Sequence, residues 1–177
     1  IYYHCIGNPD LHTDFLFDEE ERILYVKTKD DYNSLPHKVI TSYQAIHSHY
    51  EYKYIFKTDD DQLLNNIRFF DMITGLLSRK EISTTEKYHY GGMIVDVQHP
   101  HISQYYRIHP ELPTNIPIMP IKYCNGRFYL LSKEAVTYLI EKKAEIQSQY
   151  LEDYAIGYCL EDNNALFKSN ILSLQTQ

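Results

Sequence analysis

The stretch that most constrains the fold runs from Arg22 to Thr58, where two β-rich segments bracket one of helical period. "RILYVKT" (22–28) and "YKYIFKT" (52–58) are dense in the β-branched and aromatic residues that suit a pleated, half-buried surface. Between them, "HKVITSYQAIHSHY" places Val39, Ile40, Tyr43, Ile46 and Tyr50 at helical spacing. A second helical pattern follows, with Leu63, Leu64, Ile67, Phe70 and Ile73 on one face. Strand, helix, strand, helix is the alternation of an α/β sheet.

The rest of the chain extends the pattern. "IYYHCIGNP" opens as a short buried strand ended by Gly7 and Pro9, and "KYHYGGMIVDVQ" is a further strand entered through Gly91 and Gly92. The proline-rich run 99–120 has no helical period and is expected to be a long loop with short strands. "CNGRFYLLS" predicts a strand after a turn at Asn125-Gly126. Ser132 is placed to cap a helix over "KEAVTYLIEKKAEIQ", with Glu134 in its first turn. A short helix begins near Glu152, and "NALFKSNILSL" is expected to be a last strand. No repeat or linker interrupts the chain, so residues 1–177 are read as a single domain.

Composition narrows the function classes. The net charge is −7 with no long basic run, a global field that repels nucleic acid. No apolar run approaches the roughly 18 residues of a membrane span. The chain opens on Ile1, straight into a strand pattern, which suggests a domain excised from a longer chain. The three cysteines, Cys5, Cys124 and Cys159, are too few and too widely spaced for a disulfide framework and are expected to be buried filler.

"FKTDDDQLL" carries the chemistry. Asp59, Asp60 and Asp61 follow a strand directly, and in open α/β sheets the carboxyl ends of strands face the ligand crevice. Alternate residues of an extended chain point the same way, so Asp59 and Asp61 can converge while Asp60 points elsewhere. A hard divalent cation such as Mn²⁺ or Mg²⁺ relieves the repulsion and completes its shell with phosphate oxygens. A solvated turn, or Asp61 as a helix cap, is the competing role. An EF-hand is excluded because the required Gly and later Glu are missing. Glu152 and Asp153 are open to two roles, acid–base chemistry or helix N-terminal acids. Tyr105 and Tyr106 are open to a sugar platform or to loop anchoring.

Three ordered matches give these residues a family context. "LYVKTKDDYNSLPHKVITSYQAI" followed by "YKYIFKTDDD" resembles the family 31 glycosyltransferases, the β-1,3-galactosyltransferase and Fringe-like group, through Asp31, Tyr32, Leu35, Lys38 and the run Lys57 to Asp61. "PIKYCNGRFYLLS" is similar to a second family segment at Pro120, Tyr123, Gly126, Tyr129 and Ser132. "LEDYAIGYCL" is similar to a third at Glu152, Asp153, Gly157 and Cys159. The resemblance implies a single GT-A, Rossmann-like domain with a mixed, mostly parallel central sheet flanked by helices. It implies inverting transfer of a sugar from a UDP-sugar donor to a glycan or protein acceptor. By the same resemblance Asp61 binds Mn²⁺ or Mg²⁺ with Asp59 beside it, and Asp59 and Asp60 contact the ribose or metal-bound water. Asp30 or Asp31 meets the uracil end, with a turn as the competing role, and Asp153 is the base.

Lys38 and Lys57 are candidates to neutralise phosphate or nucleobase-side charge, and Gly92 to bring backbone close to the donor sugar. The compartment is left open: a Golgi lumen for a eukaryotic member, the cytoplasm for a viral or bacterial one. The sequence departs from the family pattern in three places. Residue 154 is Tyr where Val is common, no His follows His109, and "SQYYRIHPEL" replaces the usual segment before the acceptor loop. Two other functions keep the same acids: a metal-dependent phosphoryl or nucleotidyl transferase, and a non-catalytic nucleotide-sugar-binding module.

Overall fold

The computed structural model describes residues 1–62, 66–80, 87–168 and 170–174. It is a mixed α/β structure. Strands β1 (His4–Gly7), β2 (Phe15–Asp18) and β3 (Ile23–Val26) form one sheet in the order β1-β3-β2. Helix α1 (Leu35–His49) leads to β4 (Tyr54–Thr58), and helix α2 (Phe69–Lys80) leads to β5 (Tyr90–Asp96). Short strands β6 (His101–Ile102) and β7 (Pro117–Ile118) pair across the proline-rich segment. The long strand β8 (Lys122–Ser132) runs into α3 (Lys133–Glu141) and α4 (Lys143–Gln147), then α5 (Glu152–Glu161), α6 (Asn164–Phe167) and β9 (Leu172–Ser173). The second sheet has the order β4-β8-β5-β9.

The sheets are mixed as expected, but their balance is not mostly parallel. Among the described residues only β1–β3 and β5–β9 pair in parallel. β2–β3, β4–β8, β5–β8 and β6–β7 are antiparallel. Hydrophobic periodicity reports which face of a strand is covered, not the direction of its neighbour. Here β8 lies between β4 and β5 and opposes both. Its run from Phe128 to Ser132 is buried without alternation, as a strand covered on both faces requires. The core gathers around it. Tyr129 and Leu131 pack with Val39, Ile40 and Tyr43 of α1, with Ala135 and Leu139 of α3, and with Ile156 and Leu160 of α5.

Several elements differ from their expected form. The strand at Phe15–Asp18 was not foreseen; four half-buried or exposed residues carry too little period to announce it. The expected helical face after the aspartates begins with Leu63 and Leu64, which lie outside the described residues. Ile67 is 94% and Phe70 45% exposed, while Ile73 and Leu77 are buried. The helix begins at Phe69, so Ile67 precedes it, while Ile73 is buried as expected and Phe70 packs its ring on Phe56 and Phe128. The first part of the expected last strand is helix α6, and only Leu172–Ser173 is strand. Ser132 does cap α3, its Oγ accepting from the Ala135 N–H at 3.2 Å. Cys124 and Cys159 are buried free thiols, and Cys5 is half-buried. No helix among the described residues is long and apolar enough to cross a membrane.

Asn125-Gly126 is not a turn ahead of a strand but part of β8. Gly92 of β5 opposes Tyr129 while Ile94 opposes Cys124, so β8 bulges away from β5 between those partners. The bulge matters below because it carries Gly126. Helix α5 sits on the same strand at Gly157, where an added Cβ would lie 2.2 Å from Tyr123 Cβ. Gly157→Ala should therefore cost about 1–3 kcal/mol by overpacking, read as a lowered midpoint in denaturant unfolding.

Candidate active site

Two chain ends meet beside the bulge of β8. The first is the exit of β4, where the Asp59 N–H donates to the Arg127 carbonyl at 3.3 Å and holds the aspartate run against β8. The second is the N-terminus of α5, whose first turn is Glu152 and Asp153. Leu151 at the N-cap position offers no side-chain acceptor, and Asp153 serves instead. Its Oδ1 accepts from the Tyr154 N–H at 2.7 Å, and its Oδ2 from the Gly126 N–H at 2.9 Å. The carboxylate thus bridges helix and bulge. A Cβ at Gly126 would stand in ordinary van der Waals contact, 3.5 Å from both Asp153 Oδ2 and Lys57 Nζ.

Lys57 joins the two ends. Its ammonium donates to the Asp59 carboxylate and to the Gly126 carbonyl, 2.7 Å away. It also lies 3.6 Å from Glu152 Oε2. Glu152 is 3% exposed and accepts from the Tyr129 hydroxyl, whose oxygen is 2.5 Å from that of Tyr43.

The charges of the cluster are set mainly by burial. Burial pushes the Glu152 carboxyl up to about 7, against the pull of Lys57 and with the help of Asp153. Asp153 is raised by burial, against two backbone N–H groups and Lys57. Lys57 is raised because Glu152, Asp59 and Asp153 together outweigh its desolvation. The phenols of Tyr32, Tyr105 and Tyr123 are pushed up by burial and then by Asp153, which brings three aromatic rings within electrostatic reach of that carboxylate. Tyr32 stacks on His109 with ring centroids 3.7 Å apart, and the Asn33 side chain donates to the Glu111 carbonyl at 3.1 Å. These contacts tie the proline-rich loop to the turn that follows Asp31.

A pH dependence follows from Glu152. Its folded-state value lies above the ordinary one of 4.5, so its contribution to stability is complete below 4.5 and is lost as pH rises through about 7. Between those pH values wild type should lose stability relative to Glu152→Gln, measured as the difference between their melting midpoints.

Of the residues singled out in the sequence, Lys57, Asp59 and Asp153 come together. Asp60 and Asp61 are exposed in the turn beyond β4, where Asp61 Oδ1 accepts from the Gln62 side chain at 2.5 Å. Asp31 caps the 3₁₀ turn Tyr32–Ser34 by accepting from the Ser34 N–H at 2.9 Å. Lys38 donates to Asp30 at 2.5 Å, close enough to the site that it and Lys57 both act on the Cys5 thiol. Gly92 is buried within the sheet, and a Cβ on it would meet the Phe128 carbonyl oxygen at 2.7 Å. Its lack of a side chain is thus accounted for by strand packing. Tyr105 is exposed and Tyr106 half-buried.

Sequence reasoning named Gly126 and Tyr129 as motif positions without a role, and missed Tyr43 as a polar partner. An Asn-Gly pair inside a β-rich run was the available signal for the bulge. Among the described residues no group of three or more His, Cys, Asp or Glu stands ready to hold a metal ion. A cleft of about 550 Å³ elsewhere is lined by Asp96, Ile121, Glu161 and Lys168, not by Asp59 or Asp153. Lys168 is buried there against Glu161 and the Gly157 carbonyl, and Lys122, which also lines the cleft, lies 3.4 Å from Asp96.

Comparison with known proteins gives the family. The family model described as galactosyltransferase matches residues 7–169. Two curated relatives, from Homo sapiens and Pongo abelii, are both named UDP-GalNAc:beta-1,3-N-acetylgalactosaminyltransferase 1. Each is 28% identical over 163 residues, covering 86% of this chain and 45% of its own length. The chain therefore spans about half the length of the curated relatives it matches.

Proposed function

Because this chain belongs to the galactosyltransferase family, we propose that it moves a sugar from a UDP-sugar donor to an acceptor hydroxyl, with inversion at the anomeric carbon and with the aid of a divalent metal. The observation that carries the reading is the Asp153 carboxylate. It is half-buried, oriented by two backbone N–H groups, raised in proton affinity, and coupled to the strand-end aspartates through Lys57 and Asp59.

A displacement at the anomeric carbon needs two things from the protein. The attacking hydroxyl must lose its proton, and the leaving diphosphate must be offset in charge. Asp153 serves the first need. Its Oδ1 and Oδ2 each accept one N–H, so the group cannot swing away, and each oxygen keeps a further lone pair for the acceptor's proton. Burial raises its basicity toward the range where proton transfer is efficient. The backbone N–H groups keep it ionised enough to act.

For the second need the donor set fits a hard cation of low protein coordination. Asp59 is engaged by Lys57, and of the two exposed carboxylates that remain, Asp60 and Asp61, the family resemblance assigns Asp61 to hold Mn²⁺ or Mg²⁺. Such ions are commonly bound through one or two carboxylates, with substrate phosphates and waters filling the shell. When bound, the ion supplies Lewis-acid stabilisation of the departing diphosphate.

UDP-GalNAc, named in both relatives, is the first donor to try. The test is UDP release from a panel of UDP-sugars, with and without a glycan acceptor, in Mn²⁺ and in EDTA. Release that depends on one UDP-sugar and on Mn²⁺ is expected. Turnover of nucleoside triphosphates with none of any UDP-sugar would favour a phosphoryl or nucleotidyl transferase instead. UDP-sugar binding without turnover would favour a binding module.

A further inference from the structure

We propose that Lys57 is a positioning residue for the base rather than a ligand of the donor diphosphate, and that the buried Glu152 carboxyl helps hold it in place. This rests on the transferase reading above and deepens it. An ammonium group carries three N–H bonds. That of Lys57 faces three acceptors: the Asp59 carboxylate, the Gly126 carbonyl at 2.7 Å and Glu152 Oε2 at 3.6 Å. The side chain is 14% exposed and lies over the Tyr129 ring, 5.8 Å from its centroid. Two of its N–H bonds are committed to Asp59 and Gly126, and the buried Glu152 carboxyl lies within ion-pair distance of the ammonium.

The same geometry gives the lysine its task. Lys57 fixes Gly126 by its carbonyl while Asp153 accepts from the N–H of that same residue. Glu152 is fixed in turn by the Tyr129 hydroxyl, and Tyr129 by Tyr43. A polar chain thus runs from Tyr43 on α1, through Tyr129 on β8 and Glu152 on α5, to Lys57 on β4, then back through Gly126 to Asp153. It locks the exit of β4 and the start of α5 into one unit, so that the donor-side acids and the base keep a fixed separation.

The charges around Asp153 make the chain measurable. Asp153 is faced by Lys57 and Asp59 from β4 and its exit, by Tyr32 from the 32–34 turn, and by Tyr105 from the proline-rich loop. Tyr123 and Cys124 of β8, Tyr90 of β5 and Glu152 on its own helix complete the set. Among these described groups Lys57 is the cation that acts on Asp153, while Arg127 of β8 acts on Tyr105.

The experiment pairs kinetics with binding. Lys57→Met keeps the apolar stem and removes the charge. Its kcat should fall by about tenfold to 100-fold as the base loses its alignment. Its affinity for UDP in Mn²⁺, measured by calorimetry, should stay within about twofold of wild type. The acid limb of its kcat/KM profile should move to higher pH. Retained kcat with UDP affinity weakened about tenfold would overturn the proposal and return Lys57 to the phosphate.

Glu152→Gln carries the same test should Lys57→Met fail to fold. It keeps an oxygen for the Tyr129 hydroxyl and removes one negative neighbour of Asp153. UDP affinity should hold and the acid limb should move to lower pH. An unmoved limb with unchanged kcat would overturn the proposal. Failure of the transferase reading itself has a different signature: wild type releases no UDP from any UDP-sugar, and Asp153→Asn alters nothing.

Discussion

Asp153→Asn should reduce kcat for sugar transfer by about 10²–10⁴-fold, the range typical of a lost general base, while UDP affinity remains close to wild type. The substitution is nearly isosteric. The amide oxygen of Asn can still accept from one of the two N–H groups, Gly126 or Tyr154, that hold the carboxylate. What it loses is the charge that takes the proton. One consequence is awkward for the fold: an amide NH₂ turned toward the other N–H leaves two donors facing each other in a half-buried place. A stability loss of about 1–3 kcal/mol is expected from that unsatisfied pair. Assays therefore belong well below the melting midpoint of the variant. A variant that is folded, binds UDP and transfers sugar at the wild-type rate would remove Asp153 from the chemistry.

Asp61→Ala should have an effect of comparable size by a different route. Its side chain is exposed and accepts only from Gln62 among the described partners, so the fold should change by no more than about 0.5 kcal/mol. UDP affinity in Mn²⁺ should drop to the level wild type shows in EDTA. Turnover should fall by about 10²–10³-fold, as when a single electrostatic support of a leaving group is removed. The two variants thus separate: Asp153→Asn binds and does not turn over, whereas Asp61→Ala loses metal-dependent binding as well. UDP affinity in Mn²⁺ that is unaffected in Asp61→Ala would move the cation to other acids of the site.

The parts of this arrangement that were legible in the sequence share a cause. A dense β-forming run such as "YKYIFKT" announces its strand, and a strand announces where its end will be; Asp59 at that end was found for this reason. Helix α5 begins with two acids where the dipole favours them, which placed Asp153 at a helix start. What could not be read was the partner of each polar side chain. Asp31 and Lys38 matched a motif as well as Lys57 did. In the fold, however, Asp31 closes its own turn and Lys38 pairs with its neighbour Asp30, because a short-range partner costs less chain entropy than a distant one.

The pairing of β8 between β4 and β5 was hidden for a related reason. Direction and register depend on contacts far apart in sequence, such as Tyr54 opposite Ser132, which local periodicity does not encode. The bulge at Gly126 exists only because of that pairing. Hence the hydrogen bond that orients the base could not be anticipated from the residues near it.

The position of the donor decides the proposed mechanism most directly, and a structure of the protein with UDP and Mn²⁺ bound would measure it. The predicted result is a diphosphate beside Asp61 at the end of β4, with its terminal phosphate turned toward Asp153 and Lys57 still bonded to the Gly126 carbonyl. UDP found in the cleft beside Ile121 and Lys168, with Asp61 and Asp153 both remote from it, would contradict the account.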